Sequence, residues 1–151
     1  MTSKQKRIGK VIVHREKELD KKVVELGQAR AEVERKEDAL SLERQKLERA
    51  AAEREAMAER AMTASEWREA NEWLESRARS TAAASTAVQR ANQEVEASQG
   101  RVLTARRALK SVELYETQLR AEVAKAEDKA DQKLQDELAR SRSVAVKRGK
   151  P

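Results

Sequence analysis

The sequence predicts an all-α protein: a long two-helix antiparallel coiled-coil hairpin with a longer C-terminal helix. Three observations lead there. Charged residues make up 40% of the chain, whereas aromatics make up 2% and Phe is absent. Large apolar side chains are too scarce for a compact core, and the surplus of Ala, Glu, Lys, Arg and Leu is that of long helices. Only four Gly and one Pro interrupt the 151 residues, and the Pro is the last of them, so few places force a helix to stop. Finally, aliphatic residues recur seven apart in both halves of the chain.

The first helix is expected over about residues 5–61. Ile12, Leu19, Leu26, Val33, Leu40 and Leu47 form an unbroken column. The companion column, three residues on, is Arg15, Lys22, Ala29, Lys36, Glu43 and Ala50. Such a narrow seam suits one partner helix. A turn follows at about 62–65, within "AMTASEW". Thr63 and Glu66 have capping-box spacing, with the hydroxyl accepting from the Glu66 amide and the carboxylate reaching back to the Thr63 amide. The second helix is expected over about 66–142. Its column is Trp67, Leu74, Thr81, Val88, Val95, Val102 and Leu109, and its companions are mostly Ala and Ser. Large side chains on one helix can then seat between small ones on the other. A basic tail, 143–151, completes a single domain spanning 1–151.

Antiparallel pairing requires facing positions to share a constant sum. A sum near 131 joins Leu19 to Val112, Leu26 to Ala105, Leu40 to Ala91 and Leu47 to Ala84. A sum near 124 is the adjacent register. Both place Gly27 and Gly100 at one level, as a close approach of the helices or as two tolerated helical glycines costing about 1 kcal/mol each. A hairpin of this size is about 80 Å long. The second helix outruns the first beyond about residues 118–125. That overhang keeps an apolar stripe of Val123, Ala126, Ala130, Leu134 and Leu138. An amphipathic helix without an internal partner suits an external one.

The net charge of +6 is unevenly placed. Lys4, Lys6, Arg7 and Lys10 open the chain, and Arg140, Arg142, Lys147, Arg148 and Lys150 close it, with no acid among either group. The chemistry of an enzyme is missing. There is no Cys, one His (His14), no Gly-rich phosphate loop and no G-x-S-x-G. Carboxylates pair with bases at helical spacing, as in Glu18–Lys22, Glu32–Lys36 and Glu122–Lys125, and a thin hairpin offers no cleft. No cofactor or metal is expected. "VIV" is too short for a signal-peptide core, and no apolar run approaches a membrane span, so a cytoplasmic protein without membrane insertion is expected. Nine terminal bases could meet phosphates, but no aromatic is interleaved with them. Nucleic-acid binding is therefore the weaker alternative, behind a coiled-coil adaptor or scaffold. Trp67 falls in the seam column and is expected to close the tip, Trp73 lies at the seam's edge as an anchor for a partner or as edge packing, and Tyr115 lies beside the seam as packing.

Two stretches carry a family resemblance. "DQKLQDELARSR", Asp131 to Arg142, resembles the ending of flagellar FliJ proteins, of the type D/E-Q-K-x-x-D-E-x-A-x-R, with Ser141 in the slot of the final Arg. "EWREANEWLES", Glu66 to Ser76, is similar to the segment after the hairpin tip. The chain thus resembles the FliJ/SctO (YscO) stalk proteins of flagellar or injectisome type III export. The resemblance implies a non-catalytic stalk whose termini pole enters a hexameric export ATPase, promoting its assembly and activity. It further implies a link to the cytoplasmic domain of the export gate, and secretion chaperones as further partners. Candidate ATPase contacts are Lys4, Lys6, Arg7, Lys10, Asp131, Gln132, Lys133, Leu134, Asp136, Glu137, Leu138, Arg140 and Arg142. Candidate gate contacts are Trp73, Arg77, Ser80 and Ala84. Trp73 matches the aromatic that starts the family's gate stripe, while Arg77, Ser80 and Ala84 depart from its apolar continuation. The implied location is cytoplasmic, at the base of a membrane export apparatus.

Overall fold

A computed structural model describes residues 2–149. It contains two helices, α1 (Ser3–Ala58) and α2 (Ala64–Arg148). The contacts divide into two units. One holds residues 18–105, and the other holds residues up to 17 with those from 106 onward.

α1 starts earlier than the heptads alone suggest, because Thr2 and Gln5 form a reciprocal capping box. The Thr2 amide donates to Gln5 Oε1 at 2.9 Å, and the Gln5 amide donates to Thr2 Oγ1 at 3.2 Å. At the other cap, the Glu66 amide donates to Thr63 Oγ1 at 3.2 Å. Among the described residues this bond is not reciprocated by the Glu66 carboxylate. The turn between the helices uses no positive φ. α2 continues to Arg148, six residues beyond the expected end at 142. Residues 143–148 contain neither Gly nor Pro, and Lys147 and Arg148 complement the negative end of the helix dipole. Gly149, the first residue that favours termination, closes the last turn on Ala145 O at 3.0 Å.

In the unit of residues 18–105, Thr81 Oγ1 donates to Glu43 O at 3.3 Å and Arg54 Nη1 donates to Asn71 Oδ1 at 3.2 Å. Facing positions therefore sum to about 124, one heptad from the register of 131. Leu26 then faces Ser98, and both are buried. Two physical reasons select this register. The turn is centred near residue 61 because Thr63 caps α2, and a centre near 65 would lie inside the first turn of α2. Charge agrees: a sum of 131 sets Arg77 against Arg54, whereas a sum of 124 sets it against Leu47, one turn from Glu43, which it reaches at 3.8 Å. Gly27 and Gly100 are not close approaches, since an added Cβ would meet nothing within 4 Å at either. They are the tolerated helical glycines of the other reading. In the second unit, Ile8 of α1 and Leu119 of α2 are buried and form the local core.

Candidate protein-docking surfaces

In the unit that holds the termini, α1 ends its pairing at the level of Tyr115 to Arg120. Lys4 Nζ stands 5.7 Å over the Tyr115 ring. Its pKa is raised above the ordinary lysine value, first by Tyr115 and then, against slight desolvation, by Glu122. A groove of about 540 Å³ runs along Gln5, Lys6, Gly9, Val13, Glu116 and Arg120. Lys4, Lys6, Arg7 and Lys10 are all exposed on the first turns of α1. Tyr115, which the sequence places as packing, is half-exposed beneath Lys4.

Beyond Val123, every residue of α2 is exposed, from Ala124 to Arg148. Asp131, Gln132, Lys133, Leu134, Asp136, Glu137, Leu138, Arg140 and Arg142 all lie on this single helix. Leu134 is 57% exposed and Leu138 50%, an unusual state for leucines that form a continuous stripe. The stripe also leaves the heptad. Val123, Leu134 and Ala145 are eleven apart, a period that follows a nearly straight helix rather than a left-handed seam. The four N-terminal bases are not beside the Asp131–Arg142 stretch. That stretch starts about 15 Å further along α2, at 1.5 Å per residue beyond Arg120.

In the unit of residues 18–105, Trp73 is 54% exposed. The Arg77 guanidinium lies 4.7 Å from its ring centroid and reaches Glu43, so Arg77 links the exposed aromatic to the seam. Glu43 Oε2 and Arg77 Nε are buried without a hydrogen-bond partner. Ser80 is half-buried, and so is Ala84, which occupies a seam position and offers the surface little. Trp67, expected to close the tip, is instead 43% exposed with Arg54 over it at 5.7 Å. Arg54 and Glu43, which the apolar heptad pattern does not single out, thus contact the two residues, Trp67 and Arg77, that shape this surface. A signal for one of them is present in the sequence: Glu43 and Arg77 are opposite charges within the otherwise small or apolar seam positions of the two helices. Of the surface pairs expected from spacing, Glu32–Lys36 forms at 3.5 Å, while Lys22 turns to Glu25 instead of Glu18.

Among the described residues, no helix is long and apolar enough to cross a membrane. Comparison with protein families matches the model described as "Flagellar FliJ protein" over residues 4–148. Comparison with curated proteins and with solved structures returns no match.

Proposed function

Because the chain belongs to the FliJ family of flagellar export proteins, we propose that it is the non-catalytic stalk of a flagellar export ATPase. The carrying observation is the stretch from Ala124 to Arg148, a fully exposed single helix with an apolar stripe. A lone helix with bases toward its end suits insertion into a ring lined by acidic loops. Lys4, Lys6, Arg7 and Lys10 meet the rim of the hexamer, and the face of Leu134 and Leu138 enters it. The bound stalk promotes assembly and ATP hydrolysis. Trp73, held by Arg77, is the anchor for the cytoplasmic domain of the export gate, with Ser80 beside it. Secretion chaperones are further partners. The protein acts in the cytoplasm, at the base of the membrane apparatus.

The test is ATP hydrolysis by the cognate export ATPase, with the full chain and with a chain ending at Val123. The shorter chain keeps every residue of α2 that faces α1. Stimulation by the full chain alone is expected. Equal stimulation by both, or by neither, rules out insertion through this helix. Trp73→Ala should weaken binding to the gate domain while leaving ATPase stimulation intact.

A further inference from the structure

We infer that the face of α2 beyond Val123 also binds the same face of a second copy of this chain, antiparallel, as a reversible dimer. The dimer stands on its own observations. Only its consequence, that it hides the surface assigned above to the ATPase, rests on the proposed function.

The first observation is an unpartnered face. At about 100° per residue, Ala130, Leu134, Leu138, Ser141 and Ala145 lie within about 40° of one line along the helix. All are exposed. Charge chooses the occupant. Within about 80° of that line, the N-terminal half carries acids, Glu127, Asp131 and Glu137, and the C-terminal half carries bases, Arg142 and Arg148. Among the described residues, no ion pair engages any charge beyond Arg120. A helix that is acidic at one end and basic at the other is complementary to itself when reversed.

The alignment is specific. Positions that sum to about 275 face one another across a two-fold axis near Glu137 and Leu138. Asp131 and Arg142 lie on the same flank, about 60° and 80° from the stripe, and antiparallel helices set like flanks together. Asp131 of each copy thus meets Arg142 of the other. Glu127 meets Arg148 of the second copy, while the two Glu137 side chains stand near the axis as one like-charge contact that weakens the dimer. Ala130 faces Ala145, Leu134 faces Ser141, and Leu138 meets its own copy at the axis. Each contact off the axis occurs twice, as a two-fold interface requires. The second copy's Gly149 falls opposite Ala126, beyond Val123, so α1 does not obstruct the pairing. The stripe is short and the ion pairs are exposed, so the dimer is weak and salt-sensitive.

Sedimentation velocity on the full chain tests this, with Asp131→Arg, Arg142→Asp and the double variant. Circular dichroism shows that each is helical. The wild-type chain should dimerise at low salt and dissociate at about 0.5 M salt. Each single variant sets like charges together twice and should weaken the dimer about tenfold or more. The double variant exchanges the charges and should dimerise again. An equimolar mixture of the two single variants should also recover. One chain then carries bases at both positions, 131 and 142, and meets a chain that carries acids at both. A wild-type chain that is monomeric at low salt, a dimer indifferent to both single variants, or a mixture that stays monomeric would each overturn the proposal. No ATPase enters the measurement, so its outcome is independent of the stalk reading.

Discussion

Between residues 84 and 105, the small residues Ala84, Ala91, Ser98 and Ala105 of α2 lie against α1, and Ser98 is only 2% exposed. Between residues 130 and 145, the small residues Ala130, Ser141 and Ala145 share one helix face with Leu134 and Leu138, and all are exposed. The second stretch has the larger side chains and the smaller burial. Burial on a two-helix protein is therefore set by the column opposite, not by the hydrophobicity of the stripe itself. Leu26 and Leu40 supply that column for the first stretch. Nothing in the described chain supplies it for the second, and an unmatched stripe remains available to another protein.

The sharpest way to test this contrast is one substitution in each stretch. Leu26→Ala should lower the unfolding free energy by about 2–3 kcal/mol, toward the low end for buried leucines because a thin hairpin relaxes easily. Leu134→Ala should change it by less than about 0.5 kcal/mol. Chemical denaturation of both variants checks the pair of values, and equal losses would break the comparison. Next in size is the polar layer of the seam. Glu43→Leu strands the Arg77 guanidinium and should cost about 1–3 kcal/mol. Adding Arg77→Leu should recover most of that loss while relaxing the register. The chain has no native cysteine, so cysteine pairs placed at 33 and 91, or at 33 and 98, report the registers of 124 and 131 by oxidative cross-linking.

Thr63→Ala removes the hydroxyl that holds the Glu66 amide, and should cost about 1 kcal/mol in thermal unfolding. Gly27→Ala and Gly100→Ala enter open space on regular helix, and each should stabilise by up to about 1 kcal/mol. Destabilisation would mean that the helices approach closely there after all. The smallest effect is electrostatic. Arg35, hydrogen-bonded to Glu32 at 2.6 and 2.9 Å, holds that carboxyl below its ordinary value of 4.5. A depressed carboxyl stabilises the fold above its unfolded pKa and loses that contribution as pH falls through the folded value. Glu32→Gln should therefore narrow the stability difference between neutral pH and pH below 4.5, slightly, since the group is exposed.

The all-helical class, the two columns and the cap at Thr63 were legible because each is a local spacing. The N-terminal cap is equally local, yet the box of Thr2 and Gln5 lies outside the heptads that dominate the pattern. The register was harder, since registers one heptad apart bury nearly the same aliphatics. Their difference lies in the charged seam residues Glu43, Arg54 and Arg77, which read as defects in a hydrophobic pattern. The end of α2 was misplaced for a related reason. A basic tail suggested a loose end, whereas bases at a helix C-terminus are favoured by its dipole. The exposure of Trp67 depended on the breadth of the turn, which no residue type announced.

The layer of Glu43, Arg77 and Thr81 has a mechanical meaning. One heptad of slip would move the two helices about 10 Å past each other while exchanging one set of aliphatic contacts for a similar set. Apolar packing alone would offer little resistance to that sliding. The contacts of Thr81 and Arg77 with Glu43, at 3.3 and 3.8 Å, must break first. In this segment they act as a detent: pulling on α1 relative to α2 is opposed by a latch at one point along the seam. In the double Glu43→Leu, Arg77→Leu variant, whose stability is largely recovered, loss of that latch would show under load rather than in the melting temperature.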